Sequence, residues 1–108
     1  NRVVNLMLLV LALSSPQRLA CNELFRILAR KTIALYLASS GVYAAIRGNQ
    51  IDNLVIEVIE RGEVKVSLED LKVRGLGIEM LIDGVKIPRD FYGDFVEKAL
   101  QVKKVVVL

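Results

Sequence analysis

The stretch TIALYLASSGVYAA, from Thr32 to Ala45, indicates how this chain folds. Its first half, Thr32 to Ala38, is almost continuously apolar, which is typical of a strand buried on both faces of a parallel sheet. Two serines and Gly41 follow, and a short helix is predicted after them. In open α/β sheets, ligands bind at such junctions, just outside the carboxyl ends of the strands.

A second apolar run, VVNLMLLVLAL from Val3 to Leu13, comes earlier in the chain. It is too short to cross a bilayer as a helix, so we interpret it as the central strand of the sheet. The run also resembles the core of a signal peptide, with a candidate lipoprotein cleavage site before Cys21. Arg18 stands where such a site needs an aliphatic residue, which argues against export.

Ser15 and Pro16 predict the start of a helix, because they supply a serine cap and a proline at the first helical position. One face of this helix is predicted to be apolar and the opposite face basic. The apolar positions, at i, i+3, i+4 and i+7, are Cys21, Leu24, Phe25 and Leu28. The opposite face carries Arg18, Asn22, Arg26 and Arg30.

Helices and strands continue to alternate downstream. The predicted elements are a helix from Gln50 to Arg61, a strand from Glu63 to Leu68, a helical turn from Glu69 to Arg74, a short strand from Val85 to Pro88, a helix from Asp90 to Leu100 and a last strand from Lys103 to Leu108. This alternation predicts an α/β fold with three α/β/α layers and a five-stranded, mostly parallel sheet. We expect one domain over residues 1–108.

Composition narrows the chemistry that the chain can perform. The 108 residues carry a net charge of +3, which is compatible with RNA or an acidic protein as partner but favours neither. There is no histidine, and the single cysteine allows no internal disulfide and no thiolate metal cluster. Neither a phosphate loop nor a dinucleotide-binding motif is present. We therefore predict no metal and no cofactor, and a reducing, cytoplasmic setting.

Three strand–helix junctions bring polar residues to the carboxyl edge of the predicted sheet. We expect the following residues to shape a pocket or an interface there: Ser15, Ser39, Ser40, Gly41, Tyr43, Ser67 and Asp70. Without histidine, none of the serines has the usual base beside it. Adjacent Glu69 and Asp70 are interpreted as the solvated start of a helix. The helix starts at Ser15 and Gly41 could hold a small anion on their N–H groups.

Cys21 is the one residue with intrinsic nucleophilic chemistry at neutral pH. Its place on the apolar helix face favours a buried structural thiol. The alternative is a catalytic thiol that carries persulfide or responds to an oxidant, since Arg18 is one turn away and the helix start is near.

Four segments, taken in order, resemble the DsrH/TusB family. They are SP at Ser15 and Pro16, SSGVYAA at Ser39 to Ala45, LEDLKVRGL at Leu68 to Leu76 and DFYGDFVEKAL at Asp90 to Leu100. The corresponding family stretches are an SP after the first strand, a DGVxAA-type turn, an xxDLxARGL segment and a final DYxxFVxLT helix. The resemblance covers nearly the whole chain.

This resemblance implies a small subunit of a DsrEFH or TusBCD complex, in which persulfide sulfur passes between cysteines. TusBCD serves 2-thiouridine formation at the tRNA wobble base, and DsrEFH serves dissimilatory sulfur oxidation. The implied partners are DsrE/TusD-like and DsrF/TusC-like subunits or further copies of this chain, and a TusA-like protein is a candidate sulfur donor. The resemblance leaves open whether RNA is contacted directly.

The chain departs from the family pattern at the positions that would carry sulfur. DsrE/TusD-type subunits have their cysteine after the third strand, at the position that falls at Ser67 here. Some DsrH proteins have a cysteine in the first helix, but that position aligns with Phe25, one turn after Cys21. Ser39 and Ser40 replace the acidic residues that precede the glycine in the family turn.

Three hypotheses follow. The first is an accessory subunit of a sulfur-relay complex that lacks its own catalytic cysteine. The second is a sulfurtransferase that carries persulfide on Cys21. The third is a homo-oligomer that binds a small anion at the helix starts near Ser15 and Gly41.

Overall fold

The protein is built on a parallel β-sheet with helices on both faces, which confirms the predicted fold class. A computed structural model describes residues 8–108. The four strands are β1 (Leu8–Ala12), β2 (Ala34–Leu37), β3 (Glu63–Val66) and β4 (Lys104–Val107). Their order is β3-β2-β1-β4, and every pair is parallel. The first part of the predicted strand from Val3 lies outside the described residues.

Five α-helices and two short 3₁₀ helices connect the strands of the described part of the chain. They are α1 (Pro16–Ala20), α2 (Glu23–Ala29), a 3₁₀ helix (Ser39–Ala45), α3 (Asp52–Arg61), α4 (Leu68–Val73), a second 3₁₀ helix (Ile78–Met80) and α5 (Phe91–Ala99). The chain steps from β1 to β2 to β3 in one direction and returns past them to β4. Because parallel crossovers are right-handed, the return places α5 on the opposite face from the other helices.

The two faces of the sheet are covered unequally. The first face carries the larger core, in which Val10, Leu35 and Val64 pack with side chains from α1 to α4. The second face carries a smaller core, in which Leu9 and Tyr36 pack under α5. The predicted continuous burial of the inner strands is confirmed, because every residue of β1 and β2 is buried.

The predicted fifth strand, Val85 to Pro88, reduces to a single bridge beside β3. Lys86 accepts a hydrogen bond from Val66 N–H (2.9 Å) and donates one to Val64 C=O (2.9 Å). The next residue in the hydrogen-bonding register is Pro88, which has no N–H to donate. The described sheet therefore has four strands rather than five.

The helix predicted from Ser15 is divided into α1 and α2 at Cys21 and Asn22. The Asn22 side chain accepts a hydrogen bond from Phe25 N–H (3.0 Å) and so begins a new helix. Because the axis breaks here, the predicted apolar face does not hold. Phe25 is buried, whereas Cys21 is exposed and Leu24 is 51% exposed.

Candidate functional site

The carboxyl edge of the sheet brings Ser39, Ser67 and Asp70 together, as the sequence predicts. Asp70 Oδ2 accepts a hydrogen bond from Ser39 N–H (2.7 Å). Ser67 caps α4, because its hydroxyl oxygen accepts a hydrogen bond from Asp70 N–H (3.3 Å). Ser39 has a φ of 53°, a left-handed conformation that costs free energy outside glycine. The hydrogen bond to Asp70 helps to hold the strand end in this conformation.

Gly41 is required where the 3₁₀ helix crosses β1. A Cβ atom at this position would lie 2.1 Å from the carbonyl oxygen of Ala12. Gly41 and Val42 are buried against the sheet, while Ser40 is half-buried in the same helix. The glycine thus lets the turn pack closely, and it contributes no reacting group.

The arrangement at the helix starts does not favour the small-anion hypothesis. The helix that begins after Ser15 has only five residues, and the Ser15 hydroxyl already accepts a hydrogen bond from Arg18 N–H (3.4 Å). At the second helix start, the Asp70 carboxylate binds Ser39 N–H and would repel another anion. Ser15 and Tyr43 instead line a shallow cavity of about 420 Å³ that does not include Ser39 or Asp70.

The largest described cavity, about 610 Å³, opens beside Ser67. One wall is the start of α4, and the other is the segment leading into α5. Its lining residues are Ser67, Leu68, Glu69, Ile87, Pro88, Arg89, Asp90, Phe91 and Tyr92. Ser67 is 5% exposed, so its side chain belongs to the floor of the cavity rather than to open surface.

The segment from Ile87 to Tyr92 was missing from the predicted site. The signal for it was the short parallel segment ending at Pro88, because the carboxyl end of any strand in this sheet reaches the same edge. Arg89 follows that end directly and is exposed. It supplies the one basic side chain of the cavity lining.

Cys21 lies apart from this cavity. It caps the end of α1 at the break before α2, and its thiol is exposed. The favoured prediction of a buried structural thiol is therefore wrong. Cys21 does not line any of the cavities around Ser15, Ser67 or the α2 surface. Its catalytic role stays a prediction.

A cluster of charged groups lies under α5, on the second face of the sheet. Asp94 accepts hydrogen bonds from the Tyr36 hydroxyl and from Lys65 Nζ (2.7 Å). Glu63 accepts one from Lys98 Nζ (2.7 Å), and Lys65 lies 3.6 Å from its other oxygen. We refer to these five residues as the α5 ionic cluster. They join the helix to β2 and β3.

Proton affinities in the α5 ionic cluster follow from these contacts. Burial opposes ionisation of Glu63, but the hydrogen bond from Lys98 and the nearby ammonium groups outweigh it and lower its pKa. For Asp94, burial is likewise outweighed by the bonds from Lys65 and Tyr36, and its pKa is lowered. Burial, followed by the bond to Asp94, raises the pKa of Tyr36 far above its usual value. The tyrosine therefore stays a proton donor, and the cluster holds α5 in place.

A metal site and a membrane-spanning helix are both absent from the part of the chain that the structure describes. Within residues 8–108, no group of three or more cysteine, aspartate or glutamate side chains is placed to bind a metal ion. None of the helices in this range is long and apolar enough to span a membrane.

Comparison with known proteins identifies the family. The model of the family described as DsrH like protein matches residues 14–105. The chain belongs to the DsrH-like family. The matched range includes both the Ser67 cavity and Cys21. Family membership relates this DsrH-like protein to the small subunits of sulfur-relay systems.

Solved structures share the fold of this DsrH-like protein. Protein MTH1491, of unknown function, from Methanobacterium thermoautotrophicum is 14% identical, with a TM-score of 0.69 over 93% of this chain and 96% of that one. The ychN protein from E. coli is 21% identical, with a TM-score of 0.67 over 94% and 97% of the two chains. A comparison with curated proteins finds no significant match.

Proposed function

We propose that this DsrH-like protein is an accessory subunit of a cytoplasmic DsrEFH- or TusBCD-like complex. In such a complex, persulfide sulfur passes to tRNA wobble-uridine thiolation or to sulfur oxidation. The observation that carries the proposal is Ser67. By the family resemblance, it stands at the position of the sulfur-carrying cysteine of DsrE/TusD-type subunits, and it lies on the floor of the largest described cavity.

A serine at this position supports a structural role. A hydroxyl group is not ionised at neutral pH and does not form a persulfide, and within residues 8–108 there is no histidine to act as its base. The Ser67 hydroxyl is engaged in capping α4. In this proposal, the cavity corresponds to the sulfur site of related subunits, and a cysteine of a partner subunit supplies the reacting sulfur atom.

The surface of α5 supports an association with DsrE/TusD- and DsrF/TusC-like subunits. Tyr92, Val96 and Leu100 form one stripe at i, i+4 and i+8, and they are 54%, 55% and 82% exposed. Val105 and Val107 of β4 lie on the same side of the sheet and are also exposed. Exposed apolar surface of this kind is typical of a protein interface.

Labelled sulfur tests the proposal directly. The protein is combined with DsrE- and DsrF-like partners, a cysteine desulfurase, a TusA-like donor and sulfur-labelled cysteine. We expect the label on a partner cysteine and none on this chain, and Cys21→Ser should leave the transfer rate unchanged. Label on this chain that disappears with Cys21→Ser would contradict the accessory role.

A gain of function tests the assignment of the cavity. Ser67→Cys in a Cys21→Ser background places a thiol on the cavity floor, and we expect this variant to become labelled. Ser15→Cys in the same background is the control, since Ser15 lies in the neighbouring cavity and should stay unlabelled. Equal labelling of both variants, or of neither, would show that the Ser67 cavity is not the counterpart of a sulfur-carrying site.

Exposure of Cys21 favours a second candidate function, persulfide carriage by this chain. The Cys21 thiolate would attack the terminal sulfur of a donor persulfide, form its own persulfide and release the donor thiolate. No net oxidation occurs in this exchange. The Cys21→Ser result above separates the two functions.

A further inference from the structure

The outer surface of the helical layer on the first sheet face is divided by charge. In α2 and at Arg30, which caps its end, the residues Glu23, Arg26, Ile27 and Arg30 are all exposed. Their spacing of i, i+3, i+4 and i+7 places them on one face, which we call the α2 stripe. Lys31 adds a further exposed cation next to it. Within residues 8–108, none of these cations forms an ion pair.

The neighbouring helix presents the opposite charge with the same spacing. Four exposed residues of α3, Asn53, Ile56, Glu57 and Glu60, again share one face at i, i+3, i+4 and i+7. Arg61 at the end of the helix is also exposed, but it lies outside this face and donates hydrogen bonds to the carbonyl oxygens of Ala29 and Thr32. We call the four residues of the shared face the α3 stripe. Its two glutamates are likewise without ion pairs among the described residues.

The two stripes are adjacent and point outward from the same layer. Phe25 and Ala29 of α2 pack in the same core as Val55 and Val58 of α3. Both helices connect consecutive parallel strands, so they run in the same direction. A shallow groove of about 340 Å³ lies between them, and its lining includes residues of both helices.

We propose that this surface is an interface between two copies of the chain. A two-fold axis parallel to the helices places the α2 stripe of one copy over the α3 stripe of the other, with both helices running in the same direction. In this arrangement the outer faces of the two helices meet, so Arg26 of one copy faces Glu57 of the other. Ile27 likewise faces Ile56 of the other copy. Arg30 faces Glu60. The same contacts occur twice, which is the condition for an isologous dimer.

Charge and apolar character both favour a second copy as the occupant. The exposed isoleucines, 58% and 38% accessible at Ile27 and Ile56, would be covered together. A nucleic acid would meet Glu23 beside the arginines and would find no aromatic side chain in either stripe for base stacking. The α5 stripe and the Ser67 cavity lie elsewhere, so partner subunits and this dimer can bind at the same time.

The expected contact is small. Helix α2 is about 10 Å long and α3 about 15 Å, and with a width of about 10 Å each they give a footprint of roughly 250 Å². Stable interfaces bury about 800 Å² on each partner. We therefore expect a reversible dimer, visible at about 0.1 to 1 mM and weakened when salt is raised from about 0.05 to about 0.5 M.

Charge exchange between the stripes tests the proposal. Sedimentation velocity is measured for the wild type, for Arg26→Glu/Arg30→Glu and for Glu57→Arg/Glu60→Arg. Each double variant faces like charge in its own homodimer, so we expect its dissociation constant to rise about tenfold or more. In an equimolar mixture of the two variants, both contacts become attractive again, and the dimer should return. Circular dichroism checks that each variant is folded.

The control is Lys72→Glu/Lys103→Glu, which makes the same change in net charge as the arginine variant at two exposed positions outside the stripes. It should dimerise as the wild type does. A wild type that stays monomeric up to about 1 mM would overturn the proposal. A dimer whose dissociation constant is unchanged by the charge reversals would also overturn it. The same holds for a mixture of the two folded variants that does not form the dimer again.

Discussion

Gly41 and Ser39 show how single residues decide the shape of the carboxyl edge. Both follow β2, where the chain turns sharply over the end of β1. Gly41 has no side chain and can approach Ala12 closely, whereas Ser39 accepts an unfavourable φ because Asp70 binds its N–H. The turn is therefore held by contacts from β1 and from helix α4, and this explains its small residues without a catalytic role.

Gly41→Ala tests the close approach. The new Cβ would overlap a backbone oxygen that cannot move without distorting β1. We expect the free energy of unfolding, measured with urea, to fall by roughly 2 to 3 kcal/mol. Gly48→Ala is the matched control, since Gly48 has a φ of 84° but no atom within 4 Å of the added Cβ. It should cost only about 1 kcal/mol, and an equal loss for both variants would contradict the steric explanation.

At the scale of elements, the sequence predicted most helices and strands because the spacing of their apolar residues corresponds to the buried face of each element. The helix from Gln50 to Arg61 is observed as Asp52–Arg61, and the last strand as Lys104–Val107. The errors arise where one residue redirects the backbone, either through a polar side chain or through the missing N–H of proline. Asn22 interrupts a good helical period, and Pro88 ends a strand before it can form a second bridge.

The candidate site was predicted in part, because the sequence locates the ends of the strands but not every contact between distant segments. Strand ends located Ser39, Ser67 and Asp70, which the structure brings together. The remaining wall of the cavity, from Ile87 to Tyr92, is brought there by tertiary contacts. Pairing of Lys86 with β3 places this wall, and no local period in the sequence encodes that pairing.

Anchoring of α5 should depend on pH. The pKa values of Glu63 and Asp94 are lowered in the folded state, from ordinary values of 4.5 and 3.8. The unfolded chain therefore binds more protons in acid. The two carboxylates stabilise the fold at pH values above their ordinary pKa values. This stabilisation is lost as the pH falls through their lowered, folded-state pKa values. We expect the free energy of unfolding to decrease from about pH 5 downward.

Asp94→Asn tests this pH dependence. The variant should lose about 1 to 2 kcal/mol at neutral pH and should show a shallower acid decline than the wild type in urea titrations. Asp83→Asn serves as the control, because Asp83 is exposed and lies outside the α5 ionic cluster. It should keep the wild-type slope. An unchanged slope in Asp94→Asn would show that this carboxylate does not contribute.

At the scale of the whole molecule, the sheet depends on a strand that comes late in the chain. β4 pairs with β1 from Leu8↔Lys104 to Leu11↔Val107, and Leu108 N–H donates a hydrogen bond to Leu11 C=O (2.8 Å). Val106 and Leu108 also pack against the larger core. β4 thus covers the edge of β1 and contributes to the first face of the sheet.

Removal of residues 104–108 should therefore abolish cooperative unfolding, as measured by circular dichroism in urea. The matched control is Val105→Thr/Val107→Thr. These side chains are 40% and 57% exposed on the second face, and threonine keeps the preference for strands. The control should stay within about 1 kcal/mol of the wild type. A truncated chain with the wild-type midpoint would contradict this role of β4.

The pairing of β1 with β4 also sets an order of events during synthesis. β2 and β3 can join β1 through nearby crossovers as soon as they leave the ribosome, but α5 and β4 follow only later in the chain. Until then, the edge of β1 and the apolar side chains of Leu9 and Leu11 stay uncovered. The nascent chain must keep this half-built sheet from associating with other chains, and the entropy of closing so long a loop slows its completion.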